Sequence, residues 1–308
     1  MSDLAWILRF GELGLKSRPV RRQFHRGLRD NIEQRAVVNQ CSMIRQRIGQ
    51  MDVITTLESK KEIEKLLHHT LGAVVIERVR LLEGFTPEQV SNEILERDAD
   101  KGVQRTFGVR VRRVGKKGEW SSQTFAGAVG ASMLSVDNSL SVNLSKPDFW
   151  VRLILEPERV WHVESRMNGP GGLPPGVQGD VLARIKSEED LLSCFLLMRR
   201  GARILPHDSD EELLKILQKW DGFLGERTPY RTQNGKRLRP PWGVYGMSIE
   251  ESHSIIPNES DLKRTPRLVL DPLCGWDENE KLAMLNWMKN PQSGDIPSLN
   301  VIITESVE

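Results

Sequence analysis

The stretch GPGGLPPGVQGDVLARIKSEEDLLSCFLLMRRGARIL, residues 169–205, leaves few options to the chain that contains it. A loop rich in glycine and proline leads into a short apolar strand, a turn, an apolar helix and a second short strand. That succession is a βα unit of a parallel sheet, with the helix packed on one face. In nucleotide-binding versions of the unit, a phosphate rests on backbone N–H groups at the helix start. Here the turn reads IKSEED, without glycine and with three consecutive carboxylates, Glu188, Glu189 and Asp190. The layout is that of a phosphate cradle, and the residues in it repel phosphate.

The remaining sequence divides around this unit. A chain of 308 residues suits two or three domains. Residues 1–83 read as strand, helix, two strands, helix, strand: LAWILRF, then a helix carrying Phe24, Leu28 and Ile32, then SMIRQRI and DVITTL around Gly49, then KKEIEKLLHHTLG and AVVIERVRLL. This βαββαβ order predicts a ferredoxin-like N-terminal domain. Residues 84–167 form a second unit. Its first helix starts at Thr86-Pro87, a strand TFGVRVRRVG follows, Ser121 or Ser122 caps a small-residue helix, and DFWVRLILE and RVWHVESR form a hairpin around Pro157. A linker at 168–179 precedes residues 180–308, where DVLARI, ARILPH, WGVYGM and RLVLDPL alternate with helices. Such alternation predicts a small parallel sheet of Rossmann-like type, so the chain as a whole is α/β and α+β. Residues 225–241 read as an exposed basic loop.

Charge is segregated. Residues 1–50 hold ten Lys/Arg against four acids, and residues 101–120 hold seven against Glu119 alone, a surplus of six in each segment of a chain whose net charge is only +2. Positive charge gathered on part of a near-neutral protein suits a polyanionic partner. Lys16, Arg18, Arg21, Arg22 and Arg26 crowd a turn and a helix start, where cations oppose the helix dipole. Arg110, Arg112, Arg113, Lys116 and Lys117 decorate a strand and its turn, with Trp120 and Phe125 nearby as stacking or core residues. The N-terminus has no leader pattern and no run is long enough to span a bilayer, which makes the cytoplasm the expected location. Cys41, Cys194 and Cys274 are isolated from one another, and no His or Cys spacing supports a metal site. His68 and His69 read as dipole partners at a helix C-terminus.

Several segments together resemble the THUMP-domain 4-thiouridine tRNA sulfurtransferases (thiouridine synthases). ILRFGELGLKSRPVRRQFHRGLRDNI is similar to that family's opening strand–turn–helix, FGVRVRRVGKKGEWSSQTFAGAVGASM to the centre of a THUMP domain, and NGPGGLPPGVQGDVL to its G-x-G-G-L-P-x-G-x-x-G linker. WGVYGMSIEESHS and RLVLDPLCGWDENEKLAML are looser echoes. The resemblance implies a ferredoxin-like domain at 1–83, a THUMP domain at 84–167, and an ATP-pyrophosphatase (PP-loop) domain at 180–308. It implies tRNA as partner, held at its acceptor 3′ end by Arg112, Arg113, Lys116 and Lys117, with Arg110 on the same strand and Lys16, Arg18, Arg21 and Arg22 more loosely placed.

The resemblance breaks at the chemistry. The family's loop is S-G-G-x-D-S, whose glycines let amides approach ATP phosphates. Aligned from the linker, it falls on Lys186, Ser187, Glu188, Glu189, Asp190 and Leu191, and only Asp190 matches. A degenerate PP-loop domain on a tRNA-binding protein is therefore expected. The alternatives are an active sulfurtransferase using an altered loop with ATP and magnesium, in which Asp190 and Cys274 are the candidate catalytic residues, and a scaffold presenting tRNA to a separate modifying enzyme or second subunit. Cys194, on an apolar helix face, reads as a core thiol.

Overall fold

The computed structural model of the chain describes residues 4–11, 17–41, 44–48, 51–56, 60–116, 118–226, 241–255 and 266–298, with backbone alone for Leu4, 44–48, 51–56, Lys60 and Ser293. Lys16, Lys117 and most of the basic loop read at 225–241 lie outside the described residues. The described helices are α1 (Arg18–Val38), α2 (Lys60–His68), α3 (Pro87–Glu96), α4 (Ser122–Val136), α5 (Glu188–Arg199), α6 (Glu211–Gln218), α7 (Ile249–Ser254) and α8 (Glu278–Lys289). Packing divides the chain into two units, one drawn from residues 1–9, 43–59 and 75–167, the other from 10–42, 60–74 and 168–308.

The first unit is built on an eight-stranded mixed sheet. Its strands are β1 (Leu4–Phe10), β2 (Ile44–Ile48), β3 (Met51–Thr56), β4 (Ala73–Leu81), β5 (Arg105–Arg113), β6 (Leu140–Val142), β7 (Phe149–Leu155) and β8 (Val160–Asn168), in the order β2-β3-β1-β4-β8-β7-β5-β6. β3 pairs antiparallel with β1 and β2, β7 antiparallel with β8, and β5 parallel with both β6 and β7. The helix starts follow the sequence. Thr86 and Gln89 form a reciprocal capping box before α3, and Ser121 and Thr124 form another before α4. Val90, Ile94 and Leu95 of α3 and Phe125, Val129 and Met133 of α4 bury themselves with Phe107, Val151 and Leu153 of the strands. Fully burying each such side chain is worth about 1.5–3 kcal/mol. β6, three residues long, is too short to show a period in the sequence.

The second unit holds a parallel three-stranded sheet, ordered β10-β9-β11, from β9 (Asp180–Ala183), β10 (Arg203–Pro206) and β11 (Gly243–Tyr245). Every residue of β9 is buried, as a central parallel strand requires. Leu191, Phe195 and Met198 of α5 share a core with Trp220 and with Met284, Trp287 and Met288 of α8. The expected strand RLVLDPL reduces to one bridge, Val244–Val269. Pro266 and Pro272 flank it and carry no N–H to extend the ladder. The linker fits closely for a physical reason: Gly172 has φ +72°, and a Cβ there would stand 2.4 Å from the Arg199 carbonyl, while Leu173 N–H donates to that carbonyl at 2.9 Å.

A buried polar node ties this unit together. Arg35 of α1 is 1% exposed and donates to the carbonyls of Leu66, His69 and Lys219 at 2.9, 3.0 and 3.0 Å. It also donates to Asn31 Oδ1 at 2.8 Å and Thr70 Oγ1 at 2.6 Å. It thereby satisfies orphan carbonyls where α2 and α6 end. Asp221 completes the node, accepting from Asn31 and from Arg203, each at 2.9 Å. Burial pulls the Arg35 guanidinium down to about 9, opposed by the attraction of Asp221. His69 departs from its sequence reading as a cationic dipole partner. Burial, outweighing its bond to the Lys65 carbonyl, lowers it to about 3. Neutral, it donates from Nδ1 to that carbonyl at 2.8 Å. Among the described residues no helix is long and apolar enough to cross a membrane.

Candidate functional site

At the start of α5, Ser187 is the N-cap, with Oγ accepting from Asp190 N–H at 3.2 Å. Asp190 Oδ2 accepts from the N–H groups of Lys186 and Ser187, both at 2.9 Å, and Oδ1 accepts from the Tyr245 hydroxyl at 2.9 Å. Burial raises the Tyr245 phenol above its usual range, so it stays protonated and donating. The two glutamates are also engaged. Lys281 of α8 binds Glu189 at 2.7 Å, and Lys289 binds Glu188. Lys186 reaches across to Asp208 at 2.8 Å. The hydrogen bonds that Lys281 donates to Glu189 and Glu278 raise it above the ordinary lysine range, so it is fully charged at neutral pH. The positive end of the α5 dipole is thus filled by carboxylates of its own first turn, each with a partner.

The thiols separate as their surroundings dictate. Cys194 is fully buried, and burial raises its thiol well above the ordinary value, next to the charge of Asp190. Cys274 is exposed and Cys41 half-buried. Among the described residues no group of three or more His, Cys, Asp or Glu could hold a metal ion.

The basic candidates fall into both units. Arg18, Arg21 and Arg22 occupy the first turns of α1, where no acidic residue is present and Ser17 makes no side-chain cap bond. Arg110, Arg112, Arg113 and Lys116 are exposed on β5 and the turn after it. Arg113 and Lys116 line a small cleft with Trp120, Glu156 and Pro157. Phe125 is fully buried and meets Trp120 edge-to-face at 5.7 Å, which makes it a core residue rather than a stacking platform. Arg112 lies near Arg9 and Glu77, and burial, with repulsion from Arg9, holds its guanidinium below the usual range.

Two residues of one sheet face, Trp150 and Arg152, and a third near them, Arg166, escape the sequence reading. Trp150 lies under Arg110, whose guanidinium carbon is 3.8 Å from the ring centroid, and Arg152 and Arg166 stand beside them. The alternation Trp150–Arg152 is visible in FWVR. The parallel pairing of β7 with β5, which sets Arg152 beside Arg110, is not.

No family model matches the chain. Among curated proteins, the tRNA sulfurtransferase of Histophilus somni (strain 2336) is 32% identical over 200 residues, covering 63% of this chain and 41% of that protein. The probable tRNA sulfurtransferase of Oceanobacillus iheyensis is 27% identical over 295 residues, covering 92% of this chain and 70% of that protein. The chain is similar to tRNA sulfurtransferases along most of its length. It spans about two fifths of the length of the bacterial tRNA sulfurtransferases it matches at 32% identity, of which it covers 41%. The fold of the family is supported independently. Protein PH1313 from Pyrococcus horikoshii superposes with a TM-score of 0.66 at 23% identity, covering 94% of this chain and all of that one. A 4-thiouridine synthetase, solved as an RNA complex with bound ATP, superposes at 0.63 with 20% identity, covering 96% and 88%. These two comparisons, with the Oceanobacillus protein and the 4-thiouridine synthetase, cover 92% and 96% of this chain.

Proposed function

We propose that this chain is a tRNA-binding member of the sulfurtransferase family, active in tRNA modification, whose pyrophosphatase-type domain has no working ATP site. In this reading residues 1–83 and 84–167 correspond to the ferredoxin-like and THUMP segments, and 180–308 to the degenerate α/β segment. Its place of action is the cytoplasm.

The observation that carries the ATP half is the engagement of Glu188 and Glu189 by Lys289 and Lys281. A triphosphate would have to displace carboxylates already paired at the helix start. Two unit charges about 4 Å apart repel by about 4 kcal/mol near a protein surface, and a triphosphate carries several. Without the two glycines the backbone also lacks the angles and room for close phosphate approach. The residues present do not fit ATP. Calorimetry with ATP–magnesium and an AMP-release assay on transcribed tRNA test this. No micromolar binding and no AMP release are expected; AMP release lost in Asp190→Ala would restore the active sulfurtransferase.

The RNA half rests on the two basic segments and on the exposure of Arg110, Arg112, Arg113 and Lys116. Binding to tRNA is expected to weaken linearly in log K with log salt as counterions are released. An acceptor stem with an unpaired 3′ end should bind better than a blunt duplex of equal length, because single-stranded ends expose bases that A-form grooves hide. The triple variant Arg112→Glu, Arg113→Glu, Lys116→Glu should lose most affinity with little change in melting temperature. Wild-type binding by that variant would refute this surface.

A further inference from the structure

The parallel register of β5 and β7 sets Arg110 beside Arg152 and Gly108 beside Trp150. Side chains two apart on a strand share a face, so Trp150, Arg110 and Arg152 project from one side of the sheet. Gly108 makes room for the indole: a Cβ there would stand 2.6 Å from the Trp150 ring. The ring in turn supports the Arg110 guanidinium at 3.8 Å, while Arg152 lies at 6.0 Å from the same centroid, both within cation–π reach. Arg166 of β8 comes near enough for its charge to repel that of Arg152. Burial first, then repulsion from Arg166 and Arg110, holds Arg152 below its usual range.

No carboxylate among the described residues forms an ion pair with Arg110, Arg152 or Arg166. The nearest acids are already taken. Glu164 is bound by Arg78 and Arg80, and Glu77, which attracts Arg152 only weakly, is held by Arg9 at 2.6 Å. Arg112, next along the same face, differs because it lies beside that Arg9–Glu77 pair. Three guanidinium groups kept together against their mutual repulsion form a site that an anion would relieve. Trp150 covers one face of the Arg110 plane, and Arg110 remains exposed. A guanidinium fixed in this way offers its free face to a base, while its neighbours can take phosphate oxygens through paired N–H groups.

Resting on the RNA-binding reading above, we propose that Arg110, Arg152 and Arg166 form a nucleotide subsite for single-stranded RNA, with Trp150 as the residue that positions Arg110. The base stacks on Arg110 and the phosphate is held by Arg152 and Arg166. Neither contact reads a base edge, so the subsite is indifferent to sequence and rejects paired bases, whose faces are hidden.

The test is fluorescence anisotropy with a labelled single-stranded RNA decamer of mixed sequence and a blunt RNA duplex of equal length, at several salt concentrations. Arg152→Gln with Arg166→Gln should weaken decamer binding at least tenfold and reduce the slope of log K against log salt by about 0.7, the value of the one single-strand phosphate that the two arginines hold. Trp150→Leu should weaken it severalfold with the slope unchanged, since charge is kept and position lost, and Trp150→Phe should recover part of the loss. If Trp150→Leu does not fold, Arg110→Lys makes the same comparison, keeping the charge and losing the plane that stacks. Wild-type affinity and slope in these variants, with RNA still bound, would overturn the subsite and leave the broader reading intact. If the wild-type protein binds no RNA, inorganic pyrophosphate decides the rest through the fluorescence difference between wild type and Trp150→Phe. A response would end the RNA reading and keep the arginine site as an anion site, and silence would end both.

Discussion

Two helices of the second unit begin in opposite ways. α5 starts with Ser187 and Asp190 in a reciprocal capping box and three acidic residues in its first turn. α1 starts with Ser17 making no side-chain cap bond, no acid in its first turn, and Arg18, Arg21 and Arg22 where the dipole disfavours cations. The family's resemblance would place the anion at the start of α5, and there the chain has closed the position with its own carboxylates. At α1, by contrast, the sequence accepts a local loss of stability to keep positive charge exposed. In this protein the better-made helix start is the one whose charges are already paired.

The comparison is sharpest in variants that move stability and binding in opposite directions. Arg21→Glu with Arg22→Glu should lower tRNA affinity by about a hundredfold and reduce the salt slope by about 1.8. The same variant should raise folding stability by about 0.3–1 kcal/mol per residue, because acids replace cations at the dipole's positive end. Anisotropy and denaturant titration on one preparation read both, and a fall in both would erase the contrast. Asp190→Ala should lower stability by about 1–2 kcal/mol, the usual value of a lost cap, without affecting tRNA binding. Lys281→Ala with Lys289→Ala removes three ion pairs, to Glu189, Glu278 and Glu188, whose glutamates are 62%, 86% and 60% exposed, so the loss should stay below about 1 kcal/mol per pair and shrink in high salt. Ser17→Ala should change melting by less than any of these, since no cap bond is lost. A Ser17→Ala effect equal to that of Asp190→Ala would show that the two starts are not different after all.

The acidic start of α5 was legible in the sequence because its information is local, three acids crowding one turn, while the capping box of Ser187 and Asp190 emerged with the structure. Its lysine partners were not legible. Lys281 and Lys289 lie 92 and 101 residues from the glutamates they bind, and only tertiary packing of α8 on α5 brings them there. The caps at Thr86 and Ser121 and the apolar faces of α1, α3 and α4 were likewise readable from spacing. The pairing of β5 with β7, and with it the company of Trp150, Arg152 and Arg166, depended on a strand order that no local pattern encodes. The apparent strand RLVLDPL shows the converse error. Its β-branched, apolar composition is real, yet two prolines and exposed Leu268 and Val269 leave it a single bridge.

The way the chain is shared between its units governs how it can be dissected. Segments 1–9, 43–59 and 75–167 alternate along the sequence with 10–42, 60–74 and 168–308, so no single cut separates the units. Neither unit is complete until the ribosome has passed residue 167, and the second waits for its final strand and helix. Closing such distant contacts makes folding slow relative to proteins built from local ones. A fragment ending at residue 83 would present α1 with Arg35 but without Lys219 and Asp221, a buried cation stripped of two of its partners. Such a piece would expose groups that the complete chain buries, which favours aggregation, so the basic surface is best studied on the whole chain.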